Sequence, residues 1–389
     1  MRIVSLGAVC EINPPKPKSL DSEALCSFVP MENVDDQSGT VMRLDVRRVS
    51  EVEKGYSHFQ EGDVLFAKIT PCMENGKCAI ARHLLGGLGF GSTEFHVVRP
   101  KQDVVSQWIY YYLRQTAIRE LAEQSMTGSA GQKRVPTRFL EDTCIPLPPL
   151  PEQQRIAGIL ARADRLRRLR RYALELSGGY LQAVFLEMFG DPVTNPKGWE
   201  RANVSGLGHV QTGNTPSRSH PEYYGDHIEW IKSDDILEDS LFPSSSRERL
   251  SETGLKRGRS VGSRSILVTC IAGSLTSVGD VALTDRQLAF NQQLNAITPY
   301  GDVDPFFLYG LFRVARSLVQ RNATAGMKHI ITKSKLERVV LFKPRLPLQQ
   351  EFAPIVRKYE RLRAQQQEAE RQAEHLFQTL LHRAFSGEL

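Results

Sequence analysis

The chain has 389 residues, of which 41% are hydrophobic and 24% are charged, and its formal net charge is +6. This length suits two domains of about 150 residues, and the lack of any apolar run near the roughly 18 residues of a membrane span argues against a helical membrane protein. A positive net charge permits binding to nucleic acid without indicating it, because such binding needs a basic patch rather than a basic total.

The cysteines, the histidines and the first residues narrow the class of protein further. The six cysteines form no CxxC pair, and the nine histidines show no HxxxH or HExxH spacing. We therefore expect no metal site and no cofactor bound by this chain. Residues 1–15 lack the basic and then apolar form of a signal peptide, so the sequence predicts a cytoplasmic protein.

A first globular domain is predicted over residues 1–147. Segments rich in Val, Ile and Phe and bounded by turn residues, such as 62–70 and 92–100, are typical of strands. Helical and turn patterns lie between them. The mixture predicts an α+β domain.

Two motifs in this domain resemble catalytic signatures but lack an essential residue. Residues 12–17 read INPPKP, close to the NPPY or NPPF motif of adenine methyltransferases, but Lys16 cannot supply the ring that stacks on a flipped base. The glycines Gly87, Gly89 and Gly91 are not followed by the acidic residue of a dinucleotide-binding loop. Since no P-loop, nucleophile elbow or carboxylate pair is found either, we expect a non-catalytic chain.

A proline-rich stretch leads into a long helix, predicted over residues 148–190. Gly178 and Gly179 lie inside it, and each costs about 1 kcal/mol relative to alanine, which predicts a kink or a close helix crossing. Five arginines between residues 165 and 171 lie off the apolar stripe of this helix. They fit either a solvated face or a contact with a partner subunit or with DNA phosphates.

The same helix occurs again 196 residues later. LPEQQRIAGILARADRLR begins at Leu150 and LPLQQEFAPIVRKYERLR begins at Leu346, and the register holds without a gap to Phe189 and Phe385. A fixed offset over about 40 residues indicates a tandem duplication, in which each copy is a variable region followed by a long helix.

The second globular domain, predicted over residues 191–345, corresponds to the first in order but not in register. WIYYYLR from Trp108 matches FLYGLFR from Phe307, and GQKRV from Gly131 matches GMKHI from Gly326. Insertions and deletions therefore accumulated in the globular halves while the helices kept their register. The clearest strand patterns of this half are 263–272 and 291–299.

The second helix, predicted over residues 346–389, has apolar residues at alternating spacings of three and four. This pattern indicates a heptad seam on a helix on the order of 50 Å long. Because two matched helices in one chain can satisfy each other, we expect an intramolecular antiparallel coiled coil with an internal pseudo-twofold axis. A homodimeric coiled coil and an ordinary core helix are the alternatives. The predicted seam residues are Ile156, Ile159, Leu166, Leu169, Leu176, Phe352, Ile355, Tyr359, Leu362, Leu376 and Leu380.

Loop-like stretches of both globular halves carry most of the basic, small polar and aromatic residues. Such side chains suit contact with phosphates and hydrogen bonds to base edges, although surface loops of any function look similar. The candidate DNA contacts are Lys68, Thr127, Gln132, Lys133, Arg134, Arg218, Tyr223, Tyr224, Lys232, Lys328 and His329.

Together these features resemble one family, the specificity subunits of type I restriction-modification systems. The resemblance covers the whole chain and rests on the repeated LPEQQRIAGIL and LPLQQEFAPIV, the helix ends LQAVFLEMFGDP and FQTLLHRAFSGEL, and the domain opening NPKGWE. It implies two tandem target recognition domains, each followed by a conserved helix. Each domain would bind one half of a split double-stranded DNA target, and the helices would set the spacer between the halves.

The resemblance also implies partner subunits. Two methyltransferase subunits, which carry S-adenosylmethionine and methylate adenine, would dock on this chain, and restriction subunits would join them for cleavage. One alternative is the specificity subunit of a related system in which nuclease and methyltransferase are fused. Others are a coiled-coil adaptor that does not bind DNA and a self-contained methyltransferase or nuclease, which the incomplete motifs disfavour. No contact with a membrane is expected.

Overall fold

The computed structural model describes residues 2–129, 131–237, 240–324 and 326–389. The chain divides into two compact units. Unit 1 comprises residues 1–171 together with 369–389, and unit 2 comprises residues 172–368. Both units combine mostly antiparallel sheets with short helices, which confirms the predicted α+β class. In the described part of the chain, no helix is both long and apolar enough to cross a bilayer.

The described residues of unit 1 form ten strands and five short α-helices before the first long helix. The strands are β1 (Arg2–Ser5), β2 (Cys10–Ile12), β3 (Leu25–Val29), β4 (Asp45–Arg48), β5 (Ser57–Gln60), β6 (Val64–Ala67), β7 (Cys78–Ile80), β8 (Leu88–Gly91), β9 (Phe95–Pro100) and β10 (Cys144–Leu147). The helices are α1 (Leu6–Val9), α2 (Val49–Val52), α3 (Ser106–Leu113), α4 (Thr116–Ser125) and α5 (Thr137–Asp142).

These strands form two four-stranded sheets and one two-stranded ribbon. One sheet has the order β2-β9-β6-β7 and the other β4-β3-β8-β5, while β1 pairs with β10. All pairs are antiparallel except β3 with β8. The main core lies where helix α3 packs against strands β6, β7 and β9. Trp108 of α3 is fully buried there.

The first long helix is α6 (Leu150–Ser177), and a short helix, α7 (Tyr180–Phe189), follows it. The turn at Gly178 and Gly179 separates the two, with Gly178 N donating to Glu175 O at 3.0 Å. The predicted kink is therefore present as an interruption of the helix. Its physical cause is the weak helix propensity of two consecutive glycines.

Unit 2 repeats the order of unit 1. Its strands are β11 (Glu200–Asn203), β12 (Gly208–Thr212), β13 (Tyr224–Ile231), β14 (Arg249–Leu250), β15 (Ser260–Val261), β16 (Ile266–Thr269), β17 (Ile271–Ala272), β18 (Val281–Leu283), β19 (Leu288–Phe290), β20 (Leu294–Pro299), β21 (His329–Ile330) and β22 (Val340–Lys343). Its short helices are α8 (Val204–Leu207), α9 (Glu252–Arg257), α10 (Pro305–Val314), α11 (Arg316–Gln320) and α12 (Lys333–Glu337).

The sheets of unit 2 have the same connectivity as those of unit 1. The order β12-β20-β16-β18 corresponds to β2-β9-β6-β7, and β14-β13-β19-β15 corresponds to β4-β3-β8-β5. Even the parallel pair recurs, as β13 with β19. The duplication read from the helices therefore extends through both globular halves, where sequence identity is low.

The second long helix is α13 (Leu346–Ser386), which is continuous although it contains Pro354. In unit 1, Arg167 of α6 pairs with Glu374 of α13 and Arg171 pairs with Glu370. The residue numbers of these paired positions rise along α6 as they fall along α13, so the two segments are antiparallel.

The same direction is found in unit 2. Ser177 Oγ bonds to Gln366 Oε1 at 3.0 Å, Tyr359 Oη donates to Ser177 O at 2.9 Å, and the ring of Tyr180 stacks on that of Tyr359 with centroids 5.8 Å apart. The two long helices are thus in antiparallel contact in each unit.

The residues of the predicted heptad seam are buried only in part. Ile156, Phe352 and Tyr359 are buried, and Ile159, Ile355 and Leu380 are half-buried. Five other predicted seam residues are exposed instead, namely Leu166, Leu169, Leu176, Leu362 and Leu376.

The globular halves, and not the helix pair alone, decide which helical face is buried. Phe377 packs against Tyr111 of α3, with ring centroids 6.2 Å apart, and Phe385 packs against Trp108 at 4.3 Å. Since neighbouring residues differ by 100° around a helix, burying Phe377 turns Leu376 towards solvent. Several other buried residues of the two helices are small or charged, among them Ala163, Asp164, Arg167, Arg363 and Ala373.

Candidate functional site

In unit 1, an antiparallel hairpin carries four of the candidate residues. Thr127 and Arg134 lie opposite each other and exchange backbone hydrogen bonds of 3.0 and 2.9 Å. Gly131 has φ +80°, a left-handed conformation that favours glycine. Gln132 and Lys133 follow it with exposed side chains.

Backbone hydrogen bonds join this hairpin to two other segments of unit 1. Val135 N donates to Lys68 O at 2.8 Å, and Thr70 N donates to Lys133 O at 3.1 Å. Lys68 N in turn donates to Glu94 O at 2.9 Å. All five candidates of unit 1 are therefore neighbours, and we call this group with Glu94 the unit 1 surface.

Arg134 is held by a carboxylate that the sequence did not single out. Its Nη2 donates to Glu94 Oε1 at 2.7 Å and its Nε donates to Oε2 at 3.0 Å, a bidentate pair. Arg134 Nη1 also donates to Gln132 O at 3.1 Å. The hydrogen bonds from Arg134 hold the pKa of Glu94 below its usual range. The guanidinium is thus engaged on both edges.

A buried histidine supports the hairpin. His96 Nε2 lies 2.8 Å from Val135 O, and Asn13 Nδ2 lies 3.0 Å from His96 Nδ1. Burial lowers the pKa of His96, which favours the neutral ring. With hydrogen bonds on both nitrogens, the ring supports the end of the strand.

Unit 2 has a corresponding hairpin. Thr324 and Ile330 exchange backbone hydrogen bonds of 2.8 and 3.2 Å, and the strand that contains His329 pairs with Ile271–Ala272. Lys328 is exposed and His329 is half-buried. Both candidates thus lie on the counterpart of the loop that carries Lys133 and Arg134.

The remaining candidates of unit 2 lie around strand β13. Tyr224 begins this strand and Lys232 follows its last residue. The Arg218 guanidinium lies over the Tyr224 ring, 5.1 Å from its centroid. Tyr223 stacks on His220 with ring centroids 4.9 Å apart. Aromatic and cationic groups are therefore interleaved along one edge of the unit.

Both groups of unit 2 candidates adjoin one segment, residues 290–293. Asn291 N donates to Ile231 O at 2.9 Å, next to Lys232. Cys270 N and Ile271 N both donate to Gln293 O, at 2.8 and 3.1 Å, beside the strand that pairs with His329. We call the six candidates of unit 2, together with Glu248, the carboxylate that binds Arg218, the unit 2 surface.

The chemistry available at these surfaces is that of binding. Among the described residues, no group of three or more His, Cys, Asp or Glu is arranged to hold a metal ion. Arginine, lysine, tyrosine, threonine and glutamine side chains provide hydrogen bonds, positive charge and stacking faces, which suit phosphates and base edges. Sequence reasoning missed Glu94 and Glu248, because their partners Arg134 and Arg218 lie tens of residues away along the chain.

A second kind of surface lies on the long helices. In unit 2, Leu176 is 65% exposed and Leu362 is 48% exposed. Together with Tyr180 they line an apolar groove of about 660 Å³ between the helices. Unit 1 exposes Leu166 and Leu376 at the positions that correspond to Leu362 and Tyr180 under the 196-residue offset. Exposed apolar clusters of this kind commonly mark sites of protein association.

Comparison with known proteins relates the chain to one family. The sequence model described as "Type I restriction modification DNA specificity domain" matches residues 1–175 and again 196–373. The EcoEI specificity subunit of Escherichia coli, a type I restriction enzyme component, is 42% identical over 160 residues, which are 41% of this chain and 27% of that protein. The HindI specificity subunit of Haemophilus influenzae is 36% identical over 116 residues, 29% of this chain and 24% of that protein. The matched segments thus span about a quarter of these relatives.

Solved structures agree on the fold. A chain from work on complex assembly and conformational transition of the type I R-M system has a TM-score of 0.60 at 21% identity and aligns over 100% of this chain and 98% of its own length. The S subunit of the type I restriction-modification system from M. genitalium has a TM-score of 0.61 at 12% identity, over 99% and 96%. Because the family model matches both halves and most of their length, the chain belongs to the type I restriction modification DNA specificity domain family.

Proposed function

We propose that this chain is the DNA-recognition subunit of a type I restriction-modification complex and binds a split DNA target. The observation that carries the proposal is the pair of equivalent hairpins, one pairing Thr127 with Arg134 and the other Thr324 with Ile330, which adjoin sheets of the same connectivity in the two units. Each surface would bind one half of the target. The chain itself would be non-catalytic, and it would act on DNA in the cytoplasm.

The two surfaces differ in their side chains, so the two half-sites should differ in sequence. Arg134 in unit 1 and Ile330 in unit 2 hold the same place in their hairpins, each paired with a threonine, Thr127 or Thr324, so a cationic side chain of one hairpin is replaced by an apolar one in the other. Base edges are distinguished by the donors and acceptors that reach them. A split target with two different halves is therefore expected rather than a palindrome.

The two long helices would set the gap between the half-sites. A helix rises 1.5 Å per residue, so the 41 residues of α13 span about 60 Å. DNA rises 3.4 Å per base pair, so a rigid helical element of this length suits two binding surfaces that are more than one turn apart on a duplex. The salt bridges between α6 and α13 in unit 1 oppose sliding of one helix along the other.

The exposed apolar residues of the helices fit the two methyltransferase subunits. The cluster of Leu176, Tyr180 and Leu362 in unit 2 and the cluster of Leu166 and Leu376 in unit 1 are related by the internal repeat. Two equivalent surfaces would accept two copies of one partner. Those subunits would bind S-adenosylmethionine and methylate adenine, and restriction subunits would join the complex for cleavage.

Methylome sequencing of the host, with and without this gene, tests the proposal. We expect adenine methylation at a motif of two short defined blocks around a fixed unspecified gap, and we expect it to disappear when the gene is deleted. Complementation with the intact gene should restore it. A motif that persists after deletion, or a methylated motif without a gap, would contradict the proposed role.

A further inference from the structure

Three charged side chains of the unit 2 surface form one cluster. Arg218 Nη2 donates to Glu248 Oε2 at 2.7 Å, and Lys232 Nζ donates to Glu248 Oε1. One carboxylate thus joins two cations that lie 14 residues apart in sequence. Hydrogen bonds from Lys232, and then from Arg218, hold the pKa of Glu248 below its usual range despite partial burial. The carboxylate is therefore charged at neutral pH.

Both cations also lie on aromatic rings. The Arg218 guanidinium is 5.1 Å from the ring centroid of Tyr224 and 5.9 Å from that of Trp230, and Lys232 Nζ is 5.1 Å from the Trp230 ring. Trp230 is buried, and its Nε1 donates to Asn214 O at 3.2 Å. Tyr224 Oη donates to Pro216 O at 2.7 Å. The rings are fixed by the fold, so they give the flexible Arg218 side chain a defined support.

Arg218 has more N–H donors available to a ligand than Arg134, the arginine of the unit 1 surface. Arg134 uses Nε, Nη1 and Nη2 for contacts within the chain. In the described part of the chain, the hydrogen bond of Arg218 runs from Nη2 to Glu248, and the side chain is 61% exposed. A guanidinium has five N–H donors, so Arg218 keeps a pair of donors for a ligand that accepts at two neighbouring atoms.

We propose that Arg218 reads a guanine in the half-site bound by unit 2, and that Glu248 is the residue that positions it. This inference rests on the proposed function. The N7 and O6 atoms of guanine present two acceptors in the major groove, and a bidentate arginine is the commonest specific contact to them. Lys232, a compact point charge on the same carboxylate, suits a neighbouring phosphate. Glu248 acts through Arg218 and need not touch the DNA.

A different role for Glu248 makes the opposite prediction. If it only reduced the positive charge of the surface, Glu248→Gln would strengthen binding to DNA of any sequence and leave base preference unchanged. If it positions Arg218, the same substitution releases the guanidinium, so preference at one base pair falls. The two roles are thus separated by base preference and not by affinity alone.

The experiment is selection of bound DNA by the full chain, co-expressed and purified with its methyltransferase partners, from a fully randomised duplex library. Base frequencies at each selected position are compared for wild type, Arg218→Lys, Arg218→Ala, Glu248→Gln and the double variant Arg218→Ala with Glu248→Gln. Glu337→Gln is the matched control, because Glu337 forms another ion pair in unit 2, with Lys333. Thermal unfolding of each complex establishes that the variants are folded.

We expect wild type to select a split site with a G·C pair that depends on Arg218. Both Arg218 variants should lose about tenfold in preference at that pair while the other half-site is unchanged, because lysine keeps the charge but not the fork. Glu248→Gln should weaken preference at the same pair, and the double variant should lose no more than Arg218→Ala. Glu337→Gln should select the wild-type site.

Three results would overturn the inference. They are unchanged preferences in the Arg218 variants, relaxation of an A·T pair instead of a G·C pair, and a Glu248→Gln complex with tighter binding and wild-type preferences. In each of these cases wild type still selects a split site, so the proposed function stands. If wild type selects no split site, the proposed function fails and this inference fails with it.

Discussion

Arg167 of helix α6 donates from Nη1 to Glu374 Oε2 of helix α13 at 3.0 Å, across 207 residues of sequence. The same guanidinium is bound by Asp164 one turn earlier on its own helix and lies over the Phe377 ring, 4.1 Å from its centroid. Arg167 is only 6% exposed. A run of arginines that sequence could assign to solvent or to a partner therefore contributes one residue to the inside of unit 1.

Removing this guanidinium should destabilise unit 1. Arg167→Ala leaves the buried Asp164 carboxylate without its main cation, which costs about 3 kcal/mol. Urea unfolding of the full chain, followed by circular dichroism, should show an earlier transition. Arg155→Ala is the control, because its pair with Glu152 on the same helix is exposed to solvent and should contribute little to stability. Equal losses of stability in Arg167→Ala and Arg155→Ala would contradict the structural role of the buried Arg167.

The contribution of Glu374 should depend on pH. Burial raises the pKa of this carboxyl, but hydrogen bonds from Gln378 and Arg167 outweigh that effect and hold it below the usual value of 4.5. A group whose pKa is lowered by folding stabilises the protein fully above its unfolded pKa and loses that effect as the pH falls through the folded pKa.

Comparison of wild type with Glu374→Gln at several pH values tests this. The difference in urea midpoint should be largest near pH 7 and should shrink as the pH falls below 4.5 and through the lowered pKa of the folded state. Glu351→Gln, at an exposed position of the same helix, is the control and should show a small difference throughout. A difference for Glu374→Gln that grows towards low pH would have the wrong sign.

The apolar clusters on the helices should be needed for partner binding and not for folding. Leu176→Glu with Leu362→Glu places two charges on exposed positions of unit 2, so thermal stability should stay within about 0.5 kcal/mol of wild type. Co-purification with the methyltransferase subunits should fall from two copies to one, because the cluster in unit 1 is intact. Leu25→Glu, at an exposed position of the unit 1 sheets, is the control. Retention of two copies would exclude this groove as the binding site.

Lengthening the helix pair should change the gap of the target and nothing else. Insertion of seven residues after Arg170 and seven after Arg371 adds two turns to each helix, about 10.5 Å, and preserves the face on which later residues lie. This corresponds to about three additional base pairs in the gap. Methylome sequencing should find the same two blocks further apart. Altered bases within a block would contradict the role of the helices as a spacer.

The sequence predicted the duplication and several strands well, and the buried faces of the long helices only in part. The strands at residues 64–67 and 95–100 were recognisable because hydrophobic runs bounded by turn residues are local signals. The interface between the helices was not, because the fold buries Phe377 against Tyr111 and so exposes Leu376. A heptad pattern describes the spacing of apolar residues along one helix. It does not show that the globular part of the unit packs against a different face of that helix.

The roles of the carboxylates in the two surfaces could not be predicted from the sequence either. Glu94 and Glu248 look like ordinary surface acids there, because the arginines that they bind lie 40 and 30 residues away along the chain. Sequence could select the basic residues of the loops by type. It could not say which guanidinium has most of its donors engaged within the chain, as in Arg134, and which has more of them left for a ligand, as in Arg218.

The division of the chain into units has a consequence for its synthesis. Unit 2 is a continuous segment, residues 172–368, whereas unit 1 needs residues 369–389 in addition to its first 171. Phe377, Leu381 and Ala384 belong to the unit 1 core and emerge from the ribosome only after all of unit 2 has been made. Since domains generally fold as they are made, unit 2 should be able to fold before unit 1, whose core stays incomplete until the part of α13 that follows unit 2 has been synthesised.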